Sequence, residues 1–294
     1  MKILFCEDTF KLNSVEEAYI SEYECAKSNG FEILLYNFEE KIFKSKKLSK
    51  ELETVIYRGW MLNPYEYKIL YEDLLTKNYK LINNPKEYQN CHYLPDSLKY
   101  IENYTPKTIF EKYINNESIK SLIEKAKIFK GKPVIVKDYV KSEKHYWNTA
   151  FFVKNSNDKS KLTETIDNLI DLRENHLNEG IVIREYVELN KLTNHSKSGM
   201  PLSEEYRLFF YRNELMCTYN YWEEGIYKNV NIDTKTFENI AKGIDSNFFT
   251  MDIAKDIQGK YVIIELGDGQ VSGIPENGDK NIMYKKMAEM QTSA

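Results

Sequence analysis

Short apolar runs alternate with helical patterns through the first hundred residues: KILFCE, a stretch from Ser14 to Asn29, FEILLYNF, TVIYRGW, a stretch from Pro64 to Asn78, then YKLINN. Runs of that length separated by helical periodicity predict βαβ units and a parallel sheet. Ser14 with Glu17 three residues on predicts a capped helix start, and Gly30 sits where a left-handed residue would end it. Asn63-Pro64 opens the second helix, which puts Arg58, Gly59 and Trp60 at the carboxyl end of a strand, where ligands of open α/β sheets collect.

After ENYTPKTIF the rhythm changes. A helix is expected from about Glu117 to Lys130, strands at PVIVKDYV and TAFFV, a helix from about Lys159 to Leu177, and a strand at GIVIREYVEL. Then come EEYRLFFYRNELMCTYNYW, a short helix near Thr234 to Ile244, FFTMDIAKDIQGKYVIIELGDGQ and a last helix around Lys280 to Met290. These read as an α+β block of antiparallel hairpins. The polar run NHSKSGMPLSEE, Asn194 to Glu205, is expected to be a mobile loop. The expected units are residues 1–104, 105–180 and 181–294.

Composition narrows the field. With 42% hydrophobic and 29% charged side chains, 294 residues can bury a core and cover it, so disorder and fibre are excluded. The balance of 41 basic against 45 acidic residues gives no electrostatic bias toward nucleic acid or an anionic membrane. The 23 tyrosines and 14 phenylalanines would suit base stacking, but without a basic surplus they argue weakly for it. Cys6, Cys25, Cys91 and Cys217 have no zinc-like spacing, the first ten residues lack the regions of a signal peptide, and no apolar run reaches the ~20 residues of a membrane span. The expectation is a cytoplasmic protein. Five arginines stand among the basic residues, Arg58, Arg173, Arg184, Arg207 and Arg212, each a planar fork that lysine cannot replace.

The candidate chemistry starts near the C-terminus. Asp252 precedes Glu265 by 13 positions with a turn at Gln258-Gly259 between them, so two strands of one hairpin would bring the carboxylates together. In apolar strands they either coordinate a cation, for which oxygen ligands suit magnesium, or face solvent or a lysine. GDGQ adds Asp268 and Gln270 as further oxygen donors on a glycine turn. Lys107 and Lys137 stand at short apolar strands, from which each ammonium could reach a cleft and serve a phosphate. Lys141, Ser142, Lys144 and His145 lie in a turn that either closes over a polyphosphate or is a solvated hairpin tip. Arg207, alternating with apolar neighbours, either grips a phosphate or pairs with Glu205. Glu185 and Glu188 could receive the amino group of adenine and the ribose hydroxyls, or simply be exposed. Arg58 is a candidate for a substrate carboxylate, or bridges an acidic neighbour.

In their order along the chain these features resemble the ATP-grasp superfamily: TPKTIF, VIVKDYVKSEKHYW, IVIREYVEL, EEYRLFFY, FFTMDIA and VIIELGDGQVSGIP look like the grasp fold, and the first hundred residues like the α/β domain that precedes it. YRGWML and ELGDGQ further resemble a bacterial and phage clade named for an arginine and two lysines. The resemblance implies an α/β N-terminal domain followed by an α+β ATP-grasp fold whose two subdomains clasp ATP. It implies that Lys107, Lys137, Lys141 and Ser142 contact phosphates, that Glu185 and the backbone of Tyr186 and Val187 hold adenine, and that Glu188 holds ribose. Asp252 and Glu265 would carry magnesium, two ions being expected, and Arg207, Lys137 and Lys144 would stabilise the transferred phosphoryl group. Two departures stand out. The phosphate-covering loop has side chains where many relatives have glycines, and Gly267 stands where many have asparagine, which leaves Asp268, Gln270 or water as the third oxygen ligand.

The function so implied is an ATP- and magnesium-dependent ligase joining a carboxylate to an amine or thiol through an acyl phosphate, releasing ADP and phosphate. Its substrates would be small molecules or peptides, with neither nucleic acid nor membrane as partner. The acceptor is expected between Arg58 to Trp60 and Arg184, Arg207 and the Gly267 to Pro275 segment. The alternatives are an ATP-dependent phosphotransferase, with His145 in the covering loop, and a nucleotide-binding sensor without turnover.

Overall fold

The computed structural model describes residues 1–43, 48–197, 199–227 and 232–292. The first part contains β1 (Lys2–Cys6), α1 (Ile20–Ser28), β2 (Glu32–Asn37), β3 (Ile42–Phe43), β4 (Glu53–Arg58), α2 (Pro64–Leu75), β5 (Tyr79–Leu81), α3 (Pro85–His92) and α4 (Leu94–Ile101). The five strands form one sheet in the order β3-β2-β1-β4-β5, parallel except for β3. Chain direction across the sheet reverses between β1 and β4, so the crevice at their carboxyl ends is where such sheets bind ligands.

Two helix starts differ from expectation. Ser14 does not cap α1: its carbonyl accepts from Asp8 N–H and its own N–H donates to Lys11, inside a loop gathered by the Asp8 carboxylate. The helix begins only after a 3-10 turn, Glu17–Tyr19, and ends as expected at Gly30 with φ +82°. Asn63 caps α2 in a reciprocal box with Glu66, and Asn84 with Pro85 and Glu87 repeats that device at α3, a helix the apolar pattern had not suggested.

The second part holds β6 (Thr108–Lys112), α5 (Asn116–Lys125), β7 (Val134–Asp138), β8 (Phe152–Val153), α6 (Lys159–Arg173) and β9 (Gly180–Glu185). Its sheet is antiparallel, in the order β6-β9-β7-β8, and both helices close one core over it with Leu122, Leu162, Ile166 and Ile183. Because β9 is an inner strand of this sheet, the second unit runs through Glu185, past the expected boundary at 180. TAFFV is mostly a π-helical turn, Trp147–Phe151, since β8 pairs with β7 only at Val134 and Ile135.

The third part contains β10 (Lys191–Asn194), β11 (Pro201–Ser203), β12 (Glu205–Tyr211), β13 (Glu214–Asn220), α7 (Lys235–Ala241), β14 (Phe248–Lys255), β15 (Tyr261–Asp268) and α8 (Lys280–Thr292). The run expected to be a mobile loop, Asn194 to Glu205, instead starts on the last residue of β10 and contains β11, paired antiparallel with it from Asn194 opposite Pro201; Ser198 within the run lies outside the described residues. The main sheet runs β13-β12-β14-β15, antiparallel throughout. One core joins this sheet to the first domain: Ile3, Phe5 and Ile56 pack with Phe209, Phe248, Tyr284 and Met287. Among the described residues no helix is long and apolar enough to cross a membrane.

Candidate active site

The small sheet and the main sheet face each other across a cavity of about 560 Å³. Strands β7 and β9 and the turn after β7 supply one wall, β12, β14 and β15 the other, and α3 and the β4–α2 loop close the end near the first domain.

Strand register assembles the charged floor. Arg207 stands opposite Asp252 across β12 and β14, and Asp252 opposite Glu265 across β14 and β15. Arg207 donates from Nε and Nη2 to the two Asp252 oxygens at 2.8 and 2.7 Å, and from Nη1 to the Gly273 carbonyl at 2.9 Å. Lys137 reaches across from β7 and donates to Glu265 Oε2 at 3.0 Å. The row reads cation, anion, anion, cation. Burial raises the Asp252 carboxyl, against the pull of Arg207 and with the Glu265 charge adding to the rise. Burial also works to raise Glu265, but Lys137, Lys144 and Arg207 outweigh it and bring the carboxyl down to about 2. The expected partner of Arg207 in the bland case, Glu205, instead accepts from Ser203.

The pair fits a magnesium ion brought by a nucleotide. Asp252 is 3% exposed, whereas a third of the Glu265 side chain, 34%, is open to the cavity, and Lys137 occupies one Glu265 oxygen. No cluster of three or more acidic, histidine or cysteine side chains suited to a metal occurs among the described residues, so phosphate oxygens would have to complete the shell. Asp268 and Gln270 do not join it. Side chains alternate along β15, and Asp268, three residues beyond Glu265, turns to the opposite face. There its oxygens accept from Asn83, from Gln270 Nε2 and from the Gln270 backbone, and Gln270 Oε1 accepts from Tyr57 N–H.

At the other end of the cavity, Glu185, Tyr186 and Val187 form one edge, with Ile135, Trp147 and Phe151 beside them. Trp147 stacks on Phe152, and Tyr186 meets both edge-on, an apolar slot suited to a planar ring. Glu185 is held by Lys132 at 2.5 Å, and the Tyr186 N–H is taken by the Pro133 carbonyl. Lys141, Ser142 and Lys144 line the cavity as the covering turn. Lys107 and Glu188 do not: both are exposed outside the wall. Lys107 contributes its backbone carbonyl to Glu185, and Glu188 its own to Ile257.

The other two arginines expected in the site, Arg58 and Arg184, are cross-ties. Arg58, 1% exposed, grips both Glu22 oxygens at 2.8 Å and donates to the Gly269 and Ser272 carbonyls, which leaves no fork for a substrate carboxylate. Arg184 lines the cavity, yet its terminal nitrogens bond Ile263, Ile264 and Thr105, pinning β9 to β15, and its Nε is buried without a partner. Gly267 lies on the cavity floor, where an added Cβ would come within 2.6 Å of Ser272 Oγ and 2.7 Å of Thr250 Oγ1. Two hydroxyls thus occupy the space a side chain would need.

His92, at the end of α3, went unremarked in the sequence because nothing nearby marks it. It is 6% exposed, stacks between Tyr88 and Tyr93, and lines the cavity; burial and the nearby Lys141 charge bring it down to about 3, so it is neutral near pH 7. Phe151, expected in a strand, and Trp147, for which the sequence suggested no role, both emerge as walls.

Comparison with known proteins adds the following. The model of the ATP-grasp domain, R2K clade family 3, matches residues 129–287. Among solved structures, the RimK domain protein ATP-grasp from Sphaerobacter thermophilus DSM 20745 superposes with a TM-score of 0.62 at 11% identity, covering 98% of each chain. The ATP-grasp ligase PsnB, complexed with minimal precursor, Mg and ADP, gives 0.55 at 12% identity over 99% of this chain and 97% of its own. D-alanyl-alanine synthetase A from Vibrio cholerae O1 biovar eltor str. N16961 gives 0.58 at 10% identity over 100% and 99%. No curated protein matches the sequence significantly.

Proposed function

This chain belongs to the ATP-grasp domains of the R2K clade, family 3, and on that premise we propose that it is an ADP-forming ligase joining a carboxylate to an amine through an acyl phosphate. The observation that carries the reading is the row Arg207–Asp252–Glu265–Lys137 on the floor of a cavity with an aromatic slot at its far end. PsnB, of the same fold, is a ligase complexed with minimal precursor, Mg and ADP in one structure and with a precursor peptide in another, which supports the substrate class and the cofactors.

In this reading the base lies between Trp147 and Val187, and the phosphates run toward Lys137, Lys141, Ser142 and Lys144. Asp252 and Glu265 would hold magnesium, which supplies charge neutralisation to the phosphates when bound. A substrate carboxylate oxygen attacks the γ-phosphorus, the bond to the bridging oxygen breaks, and ADP departs. An amine nitrogen then bonds to the acyl carbon, the acyl–oxygen bond breaks, and phosphate leaves with the bonding pair and the amine proton. Lys137, Lys144 and Arg207 offset the charge that shifts in both steps, and the protein need supply no covalent nucleophile.

The test is release of ADP from magnesium ATP with pools of amino acids and peptides, beside Glu265→Ala. ADP and phosphate that form only with a particular pool, together with an amide product, support the reading. A phosphorylated product without an amide would replace it with phosphotransfer, and nucleotide binding without turnover would replace it with the sensor.

A further inference from the structure

The covering turn is fastened from the side away from the cavity. Asp138, the last residue of β7, is fully buried, and its carboxylate gathers donors from two segments. Oδ1 accepts from the backbone N–H groups of Val140 and Lys141; Oδ2 accepts from Arg173 Nε at 3.2 Å and from Asn178, through its backbone N–H at 3.2 Å and Nδ2 at 2.9 Å. The Asp138 N–H donates to the Lys141 carbonyl at 3.0 Å and closes the turn. Arg173, the last residue of α6, reaches further: Nη1 donates to Glu143 at 3.4 Å and Nη2 to the His176 carbonyl at 2.9 Å. Lys141, Ser142 and Lys144 line the cavity, whereas Asp138, Arg173 and Asn178 do not.

The segment that brings these donors is bent to do so. Glu174, directly after Arg173, stands at φ +43° and ψ −122°, and Glu179 at φ +58°. Side-chain-bearing residues adopt such angles at a cost, which persists only where the surroundings impose it. Here the bend sets Arg173 and Asn178 around one carboxylate.

This arrangement decides how the turn can meet a phosphate. In a glycine-rich loop, free backbone N–H groups cradle the anion. The N–H groups of Val140 and Lys141 are instead turned to Asp138, so phosphate contact falls to side chains. The ammonium groups of Lys141 and Lys144 have no hydrogen-bond or ion-pair partner among the described residues, unlike that of Lys137. Two free cations on a turn locked from behind form a site set before its ligand arrives.

Resting on the nucleotide site of the ligase reading, we propose that Arg173 is a positioning residue for phosphate capture. Through Asp138 and Glu143 it holds the covering turn in the shape that directs Lys141 and Lys144 at the terminal phosphates, and it touches no ligand itself.

The experiment measures binding of ATP and of AMP by calorimetry with magnesium present. Arg173→Gln should weaken ATP by about fivefold or more and leave AMP, which lacks the terminal phosphates, unchanged. Arg173→Lys, which keeps the charge and loses the fork, should fall between, and it is judged by the same ratio should Arg173→Gln not fold. Lys141→Ala should also weaken ATP. Combined with Arg173→Gln it should lose much less than the product of the separate losses, because both variants remove the same contact. Losses that multiply, equal losses of ATP and AMP, or an unchanged ATP affinity in Arg173→Gln would each overturn the proposal. Coupled ATP binding without turnover on any acceptor pool would sink the ligase reading and leave the positioning role standing; no binding of ATP or AMP by the unaltered protein would sink both.

Discussion

Arg207 and Asp252 face each other across β12 and β14 and share two hydrogen bonds of 2.8 and 2.7 Å, so a side chain proposed to offset phosphoryl charge is positioned by a proposed metal ligand. Replacing the carboxylate therefore disturbs two functions together. Asp252→Ala should destabilise the fold by about 3–5 kcal/mol, because the buried guanidinium loses its partner. Asp252→Asn, which keeps an oxygen toward Arg207, should recover part of that stability but still lose turnover by about 100-fold or more. Urea unfolding run beside ADP release separates the two effects; turnover intact in either variant would remove Asp252 from the site.

Arg58 makes the opposite prediction. It ties Glu22 to the Gly269 and Ser272 carbonyls in full burial, and Tyr284 adds its hydroxyl to the same carboxylate at 2.7 Å. Arg58→Ala should cost about 3–5 kcal/mol by stranding Glu22. Arg58→Lys should fall between, since it keeps the charge and loses the fork. Chemical denaturation of both variants decides the matter: unchanged stability with a raised KM for acceptor would return Arg58 to the substrate.

Asp268 links stability to pH. Burial pushes its carboxyl up to about 7, although Asn83 and Gln270 donate to it. Its folded value lies above its unfolded one, so its contribution is complete below about pH 4 and is lost as pH rises toward 7. Unfolding free energies measured across that window should carry this falling component, and Asp268→Asn should remove it.

Gly267 is constrained by contact rather than by its backbone angle. An alanine methyl would sit 2.6 Å from Ser272 Oγ, so Gly267→Ala should destabilise by about 1–3 kcal/mol. Adding Ser272→Gly relieves one of the two contacts and should restore part of the loss in thermal melts. No recovery would mean that the Thr250 hydroxyl alone sets the limit.

Local signals made much of this legible. The hairpin turn at Gln258-Gly259 was enough to foresee that Asp252 and Glu265 would meet, and Asn63-Pro64 marked α2. Asn84-Pro85-Glu87 carries the same signal for α3, which lies between YKLINN and the expected boundary at 104 where the apolar pattern marks no helix. What resisted reading depends on distance along the chain. Nothing near Arg58 announces Glu22 or residues 269 and 272, and spacing alone does not tell which face of β15 Asp268 will take. Lys107 shows a related limit: the lysine precedes an edge strand, and the wall is formed by its neighbour Pro106.

The core shared by the first domain and the main sheet divides the molecule into an anvil and a jaw. Residues near both ends of the chain, from Ile3 to Met287, are fused into the anvil, while residues 109–183 enclose their own core and constitute the jaw. The jaw is fastened chiefly through Arg184 to β15, the packing of Tyr139 on Tyr93, and the ion pair of Lys137 with Glu265. The last of these lies inside the bite. A ligand that drew Lys137 away from Glu265 would therefore remove a fastening of the jaw from inside the site itself.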